Sequence, residues 1–554
     1  MERFSFHSRP LFSPETSRKT YDIAIIGGGI NGAGVARDAV LRGYRVILLE
    51  QADFASGTSS RSSRLIHGGL RYLEHGRLGL VHESVTERWR LMKLAPHLVR
   101  PLPFLFPIFA GMKPGLSMIT AGTLAYSMLA AFRTPGPRRT HGAQSAAQAE
   151  PTLRQQGLKG AAEYYDCSTN DARLTLETAL DAFDAGAYIV PRATVTGAVT
   201  EAGGVLLGVR DELTNETTDV RARVVVVAAG PWTDTIMSRI RPGTSAWLRP
   251  TKGVHIVFPR RRLPVNNAVV MPSLQGDSRI TFAIPWRNHV YAGTTDTDYP
   301  NPDKPLTVSR NDVSYMLDIT NHYFPNQQLT ESDVVSTWAG LRPLVAPHDE
   351  VSVEDVNPSD ISREEKLEVF DNRFVVAAGG KLTTYRVLAQ KIVDKAAHLL
   401  EREGVVARSH RVTAQRPLPG GAGISDLTRF GEGLAAANSH ADANWVKYLA
   451  KRYGARAHLL LELLRRDSSL AELLPNSTMV RKVELKFSIE QEYVCTIDDF
   501  MKRRTYIYFR TPDQGFEAAH AVADALVSAG RYTPEEGRAA LAAYRQSITD
   551  SLPR

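Results

Sequence analysis

Cysteine is almost missing: Cys167 and Cys495 are the only two in 554 residues. They form no CxxC pair, which argues against a thiolate metal site or a redox dithiol, so no metal is expected. Such scarcity suits a reducing compartment. The stretch Met1–Thr20 lacks the apolar segment of a secretory signal and reads as a flexible lead-in. There is no internal repeat of the kind that builds solenoids or propellers. Long apolar runs are scarce as well. Only Pro114–Phe132 goes 19 positions without a charge, close to the ~20 residues that span a bilayer. Pro114, Gly115 and Gly122 interrupt it, so it reads as a buried or interfacial helix rather than a span.

The hydrophobic fraction of 43% and the charged fraction of 23% suit a globular chain with several cores. The length suggests about three units. A net charge of +8 is compatible with an anionic membrane surface, with nucleic acid, or with no particular partner. No zinc spacing, recognition-helix signature or aromatic RNA-binding motif accompanies the charge, so no nucleic acid partner is expected.

The pattern along the chain is that of an α/β protein. Asp22–Ile26 is a continuous apolar run, as in a strand covered on both faces. A helical stretch reaches Leu41, and a second strand covers Arg45–Leu49. Helices are read over Glu74–His97, Leu174–Ala185 and Val387–Glu403, and a buried strand over Val224–Val227. From Trp247 to Tyr299 the chain becomes strand-rich, which points to an antiparallel second sheet. After Pro417–Gly421 strand signals almost vanish. The expected architecture is a doubly wound, Rossmann-like nucleotide domain interleaved with an antiparallel-sheet substrate domain over 21–421, then a helical cap over 422–554. Within the first block the nucleotide part is read mainly from 21–100, 160–245 and 370–400, and the substrate part mainly from 100–160 and 246–370.

Between the first strand and the first helix lies Gly27-Gly-Gly29-Ile30-Asn31-Gly32. These glycines allow a tight turn and close approach of backbone to a pyrophosphate, and the helix start supplies N–H groups. Glu50 follows 21 residues after Gly29, where an acid can hold a ribose hydroxyl. Strand, helix, second strand and acid in this order indicate dinucleotide binding. A single fingerprint, with later strands ending at Gly230 and Gly380, favours FAD over NAD.

The motifs IIGGGINGAG (25–34), TSSRSSRLIHGGLRYLE (58–74), AAGPW (228–232), KGVHIVFP (252–259), AIPW (283–286), AGTTDTDY (292–299), GLRPL (340–344) and GGKLTTYR (379–386) occur in one order. With VELKFSIEQEYVCTIDDFMKRRT (483–505), they make the chain resemble the FAD-dependent glycerol-3-phosphate dehydrogenases over nearly its whole length. That resemblance implies oxidation of glycerol 3-phosphate to dihydroxyacetone phosphate. It also implies electron transfer to ubiquinone or menaquinone, and a cytoplasmic protein held peripherally on the inner face of the membrane. Leu102–Met112 and Pro114–Phe132 are the apolar stretches offered for that attachment. A glycerol-3-phosphate oxidase using oxygen is the alternative; an amino-acid or 2-hydroxy-acid oxidoreductase is another. A homodimer stays open.

A dianionic phosphate calls for arginine forks. The resemblance turns Arg71 and Arg342 toward the substrate, with Tyr72 and Thr384 as further contacts. His67 and His255 are both candidates for the base, because imidazole titrates near neutral pH; the sequence does not choose between them. Lys381, after the Gly379–Gly380 turn, is the candidate cation beside the flavin and a substrate contact. Thr58, Ser59, Ser60 and Ser63 sit in a loop that, by resemblance, runs along the FAD, and Arg64 shares that loop.

Overall fold

The structure is a computed structural model describing residues 4–8, 19–73, 76–131, 133–274, 279–346 and 365–551; the side chains of Arg71 and Tyr72 lie outside that description. Two large sheets organise the first three-quarters of the chain. In the first, the strands Phe374–Ala378, Thr217–Val227, Thr20–Ile26, Val46–Glu50 and Tyr188–Pro191 lie side by side and parallel. Lys366–Phe370 adds an antiparallel edge. Alternate residues of each strand feed two separate cores. Ile23, Ile25, Val46 and Leu48 pack under helices, including Ile30–Leu41 and Tyr385–Glu401. Ala24, Ile26, Ile47 and Leu49 pack on the opposite face, against the ribbon Ala193–Glu201 and Gly204–Asp211. Burial on both faces explains why these strands read as unbroken apolar runs.

The second sheet has ten strands, antiparallel except where Ala268–Pro272 pairs with Arg100–Phe109. Leu158–Ser168 belongs here and Lys366–Phe370 to the first sheet, so the two sheets exchange the chain at other residues than those read from the sequence. The strand Arg100–Phe109 is buried along most of its length, with Phe104 and Leu105 fully enclosed. This corrects the reading of Leu102–Met112 as a membrane-facing run, since a fully covered strand and a lipid-facing segment have the same composition.

The uncharged run is a helix only over Leu116–Leu129, 14 residues. Among the described residues no helix is long and apolar enough to cross a membrane. The helix read over Glu74–His97 is shorter, Leu78–Leu94, and Leu70–Leu73 forms a separate turn before it. The segment after residue 421 is helical, its strand content among the described residues being one bridge between Leu473 and Arg481. It shares a core with the second sheet, in which Phe500, Ile507 and Phe509 meet Trp338 and Tyr291.

Phe4 overturns the flexible lead-in over the described part of that segment. Its ring is buried against Phe54, Phe183 and Tyr493. Tyr493 also donates its N–H to the Phe4 carbonyl at 3.2 Å. Residues 9–18 lie outside the described residues.

Candidate flavin and substrate site

The first strand ends in a turn that only glycine can make at two points. Gly27 has φ +114, and a Cβ on Gly32 would sit 1.9 Å from the Gly27 carbonyl oxygen. The missing side chains let the helix Ile30–Leu41 start directly against the strand, and its first N–H groups open into a cleft. Glu50 closes the other side. It is buried, accepts from Gly28 N–H at 2.6 Å and Ala52 N–H at 2.8 Å, and burial raises its carboxyl above the ordinary range against these two bonds.

The cleft is lined by Gly27, Gly29, Ile30, Asn31, Glu50, Thr58, Ser59, Gly230 and Gly380, all named from the sequence, together with Lys381. It encloses about 1160 Å³ of empty space, counting the solvent at its mouth. Two observations fit a dinucleotide. Asn31 Oδ1 is buried with no hydrogen-bond partner, and Ser59 Oγ occupies the place of an acceptor at the helix start, taking the Ile30 N–H at 3.0 Å. Gly32 serves the helix–strand contact rather than the lining. Ser60 is buried, and Thr384 is buried just before the helix Tyr385–Glu401; neither lines the cleft. Ser62, not singled out from the sequence, does.

A second arrangement adjoins the first. The antiparallel pair Leu248–Pro259 and Ser336–Val345 sets Thr251 opposite Arg342, Gly253 opposite Gly340 and His255 opposite Trp338. Alternation along a strand puts these six on one face. Gly340 has no side chain because the Arg61 carbonyl lies 2.5 Å from where its Cβ would be. The loop that lines the cleft is therefore laid directly on this sheet. Thr58 Oγ1 donates to the Leu341 carbonyl at 2.6 Å, and Tyr291 donates to the Ser63 carbonyl at 2.9 Å. Ser63 itself does not line the cleft; its Oγ meets His255 Nε2 at 2.9 Å.

His255 is buried and stacks on Trp338 with ring centroids 4.6 Å apart. Burial, then the charges of Arg342 and Arg64, hold its pKa well below the usual histidine value, so the ring is neutral near pH 7. Arg342 is not a bare cation. It donates to Asp296 at 2.8 Å, Thr294 Oγ1 at 3.1 Å and the Thr295 carbonyl at 2.9 Å. Asp296 is a partner that sequence reading missed, although it stands in the noted AGTTDTDY motif.

His67 and the Gly379–Thr384 turn come together through Thr383, whose Oγ1 accepts the His67 N–H and donates to the His67 carbonyl, both at 3.1 Å. The Arg71 and Tyr72 side chains, named as substrate contacts, lie outside the described residues. Arg64 turns away from the cleft. With φ +52 and 1% exposure, its guanidinium lies 4.2 Å from the rings of Trp286 and Trp338 and 4.3 Å from that of Tyr506. Among the described residues no cluster of His, Cys, Asp and Glu could hold a metal ion.

Comparison with known proteins agrees with this geometry. Residues 22–384 match the family model described as FAD dependent oxidoreductase, and 411–536 match the C-terminal domain of alpha-glycerophosphate oxidase. An aerobic glycerol-3-phosphate dehydrogenase of Bacillus subtilis is 36% identical over 91% of this chain and 90% of its own length. One from Staphylococcus aureus is 35% identical over 96% of this chain and 94% of its own. The crystal structure of the glycerol-3-phosphate dehydrogenase from Bacillus halodurans complexed with FAD superposes with a TM-score of 0.78 and 31% identity, covering 97% of this chain and 96% of that one. With these matches over nearly its whole length, the chain belongs to the FAD-dependent glycerol-3-phosphate dehydrogenase family.

Proposed function

We propose that this protein oxidises sn-glycerol 3-phosphate to dihydroxyacetone phosphate and passes the electrons to a membrane quinone while bound peripherally to the inner face of the membrane. The observation that carries the reading is the contact of the His255–Arg342 face with the flavin cleft through one shared loop, pinned at Gly340 and Thr58. FAD, when bound, supplies the acceptor for the hydride leaving C2. The chain's own residues do the rest. His255, neutral near pH 7, is the base we assign to the C2 hydroxyl proton, on a ring that Ser63 and Trp338 orient. Arg342 and Arg71 hold the phosphate, with Asp296 fixing the plane of Arg342. Lys381 lines the cleft and is the cation we assign to the reacting end.

The helix Leu116–Leu129 is the surface we assign to the bilayer. Met118 is 67% exposed and Met128 53%, with Leu124 between them. No Asp or Glu occurs from Arg88 to Ala149, while Lys113, Arg133 and Arg139 flank the helix and are exposed. Apolar surface beside uncompensated basic charge suits an anionic bilayer. The inner side of the same helix carries Tyr126, whose hydroxyl accepts the N–H of Gly68 in the His67-Gly68-Gly69 turn at 2.7 Å. The membrane-facing helix and the candidate site thus share a contact.

Anaerobic flavin bleaching tests the reading. Glycerol 3-phosphate should bleach the flavin, while glycerol and amino acids should not. Reoxidation should be fast with a quinone and slow with oxygen. Bleaching by an amino acid alone, or rapid peroxide formation without quinone, would overturn the substrate or the acceptor respectively.

A further inference from the structure

Away from the flavin cleft, the seam between the second sheet and the helical cap collects arginines with too few counter-charges. Arg287 sits at the hairpin tip after Trp286 with φ +58, its guanidinium 4.7 Å from the ring of Tyr448 in the cap. Arg452 donates to the same Tyr448 hydroxyl at 2.8 Å. Arg510, from the cap, lies 5.3 Å from the Trp286 ring, on which Arg64 also packs. Arg100 begins a strand of the same sheet, one strand removed from this hairpin, and has a buried Nε with no partner. Against these five, two carboxylates are close among the described residues: Glu484 at 3.6 Å from Arg452 and Asp171 at 4.0 Å from Arg64. Among the described residues Arg100, Arg287 and Arg510 make no ion pair.

Burial, then the charge of Arg287, lowers Arg100; burial lowers Arg287, with Arg452 repelling it; and burial, then Arg287, pushes Arg510 down to about 9. Buried charge without a partner is strongly unfavourable. All three guanidinium nitrogens of Arg64, and Nε and Nη2 of Arg452, are buried without hydrogen bonds. Arg100 and Arg510 are half-buried and Arg287 is exposed, so a solute can reach them.

We propose that this seam is an anion site for a phosphate-bearing ligand of two or more negative charges, which bridges the substrate sheet and the cap. Guanidinium groups bind phosphate oxygens by paired, charge-assisted hydrogen bonds. A multivalent anion offsets several of them at once, where a chloride offsets one.

A soluble condensed phosphate and a lipid phosphate share this chemistry, so two probes are needed: inorganic pyrophosphate, and vesicles containing phosphatidic acid. Both are titrated into the full-length FAD-loaded protein at matched ionic strength, with melting temperature and calorimetry as readouts. At least one probe should bind and raise the melting temperature. Removing one arginine in Arg287→Ala or Arg100→Ala should weaken that binding by roughly tenfold, while Arg287→Lys should retain part of it. Arg342→Ala, which alters the substrate corner, should leave it unchanged. Absence of binding by both probes, or binding that Arg287→Ala and Arg100→Ala leave intact, would overturn the site.

Discussion

At the flavin cleft the chain offers mainly backbone; at the proposed substrate corner it offers side chains that are already paired. The cleft is shaped by what Gly27 and Gly32 lack, and its donors are peptide N–H groups at a helix start. The corner is shaped by Arg342 with Asp296, His255 with Ser63, and Thr383 with the His67 backbone. A backbone cradle tolerates no added atom, whereas a side-chain constellation can lose one member and keep its shape. Cofactor retention and turnover should therefore separate under mutation.

The largest effect is expected from Gly32→Ala. Its Cβ would lie 1.9 Å from a carbonyl oxygen that cannot move without breaking the strand–helix turn. The variant should be recovered without flavin, as measured by the ratio of visible to ultraviolet absorbance. A yellow, active Gly32→Ala protein would break the contrast at its stronger end. His255→Gln should keep the flavin and lose roughly 10²–10⁴-fold in kcat/KM, the range for a general base. Ser63→Ala, which removes only the hydroxyl on His255 Nε2, should lose about tenfold, the worth of one hydrogen bond of about 1–1.5 kcal/mol.

The division also explains what could be read without a structure. Asp22–Glu50 was legible because burial on two faces leaves an unbroken apolar run and the turn demands glycine. The corner was legible as a set of candidates, His255, Arg342 and Lys381, but not as contacts. Ser63 reaches His255 across 192 residues, and no local pattern records that pairing. The box around Arg64 needs Trp286, Trp338 and Tyr506 from three distant segments. Phe4 was missed because Phe4, Phe6 and Phe12 follow no sustained period in a polar stretch, although the Phe4 ring fills a gap lined by Phe54 and Tyr493. Leu102–Met112 was misread because composition does not say whether an apolar run is covered by protein or by lipid.

Smaller effects sharpen the picture of the corner. His255 has its pKa depressed in the fold, so below about 6.5 the unfolded chain binds more protons than the folded one. The stability that neutral His255 contributes is full above that pH and is lost as pH falls toward the depressed value. In kinetics, the acid limb of kcat/KM should lie well below 6.5; a limb at 6.5 would point to an exposed histidine as the base. The smallest effect on chemistry is expected on the outer helix. Met118→Asp combined with Met128→Asp should leave turnover with a soluble dye unchanged and abolish flotation with anionic vesicles. Flotation that persists would move the membrane surface elsewhere.

Arg342→Ala tests the separation of cradle and corner most directly, with FAD content and the anaerobic bleaching rate with glycerol 3-phosphate measured on one sample. The account predicts full flavin occupancy and a rate lower by about 10²–10³-fold, as for loss of a preorganised charge at the reacting end. Loss of the flavin together with the rate would contradict it, because Arg342 would then belong to the cradle.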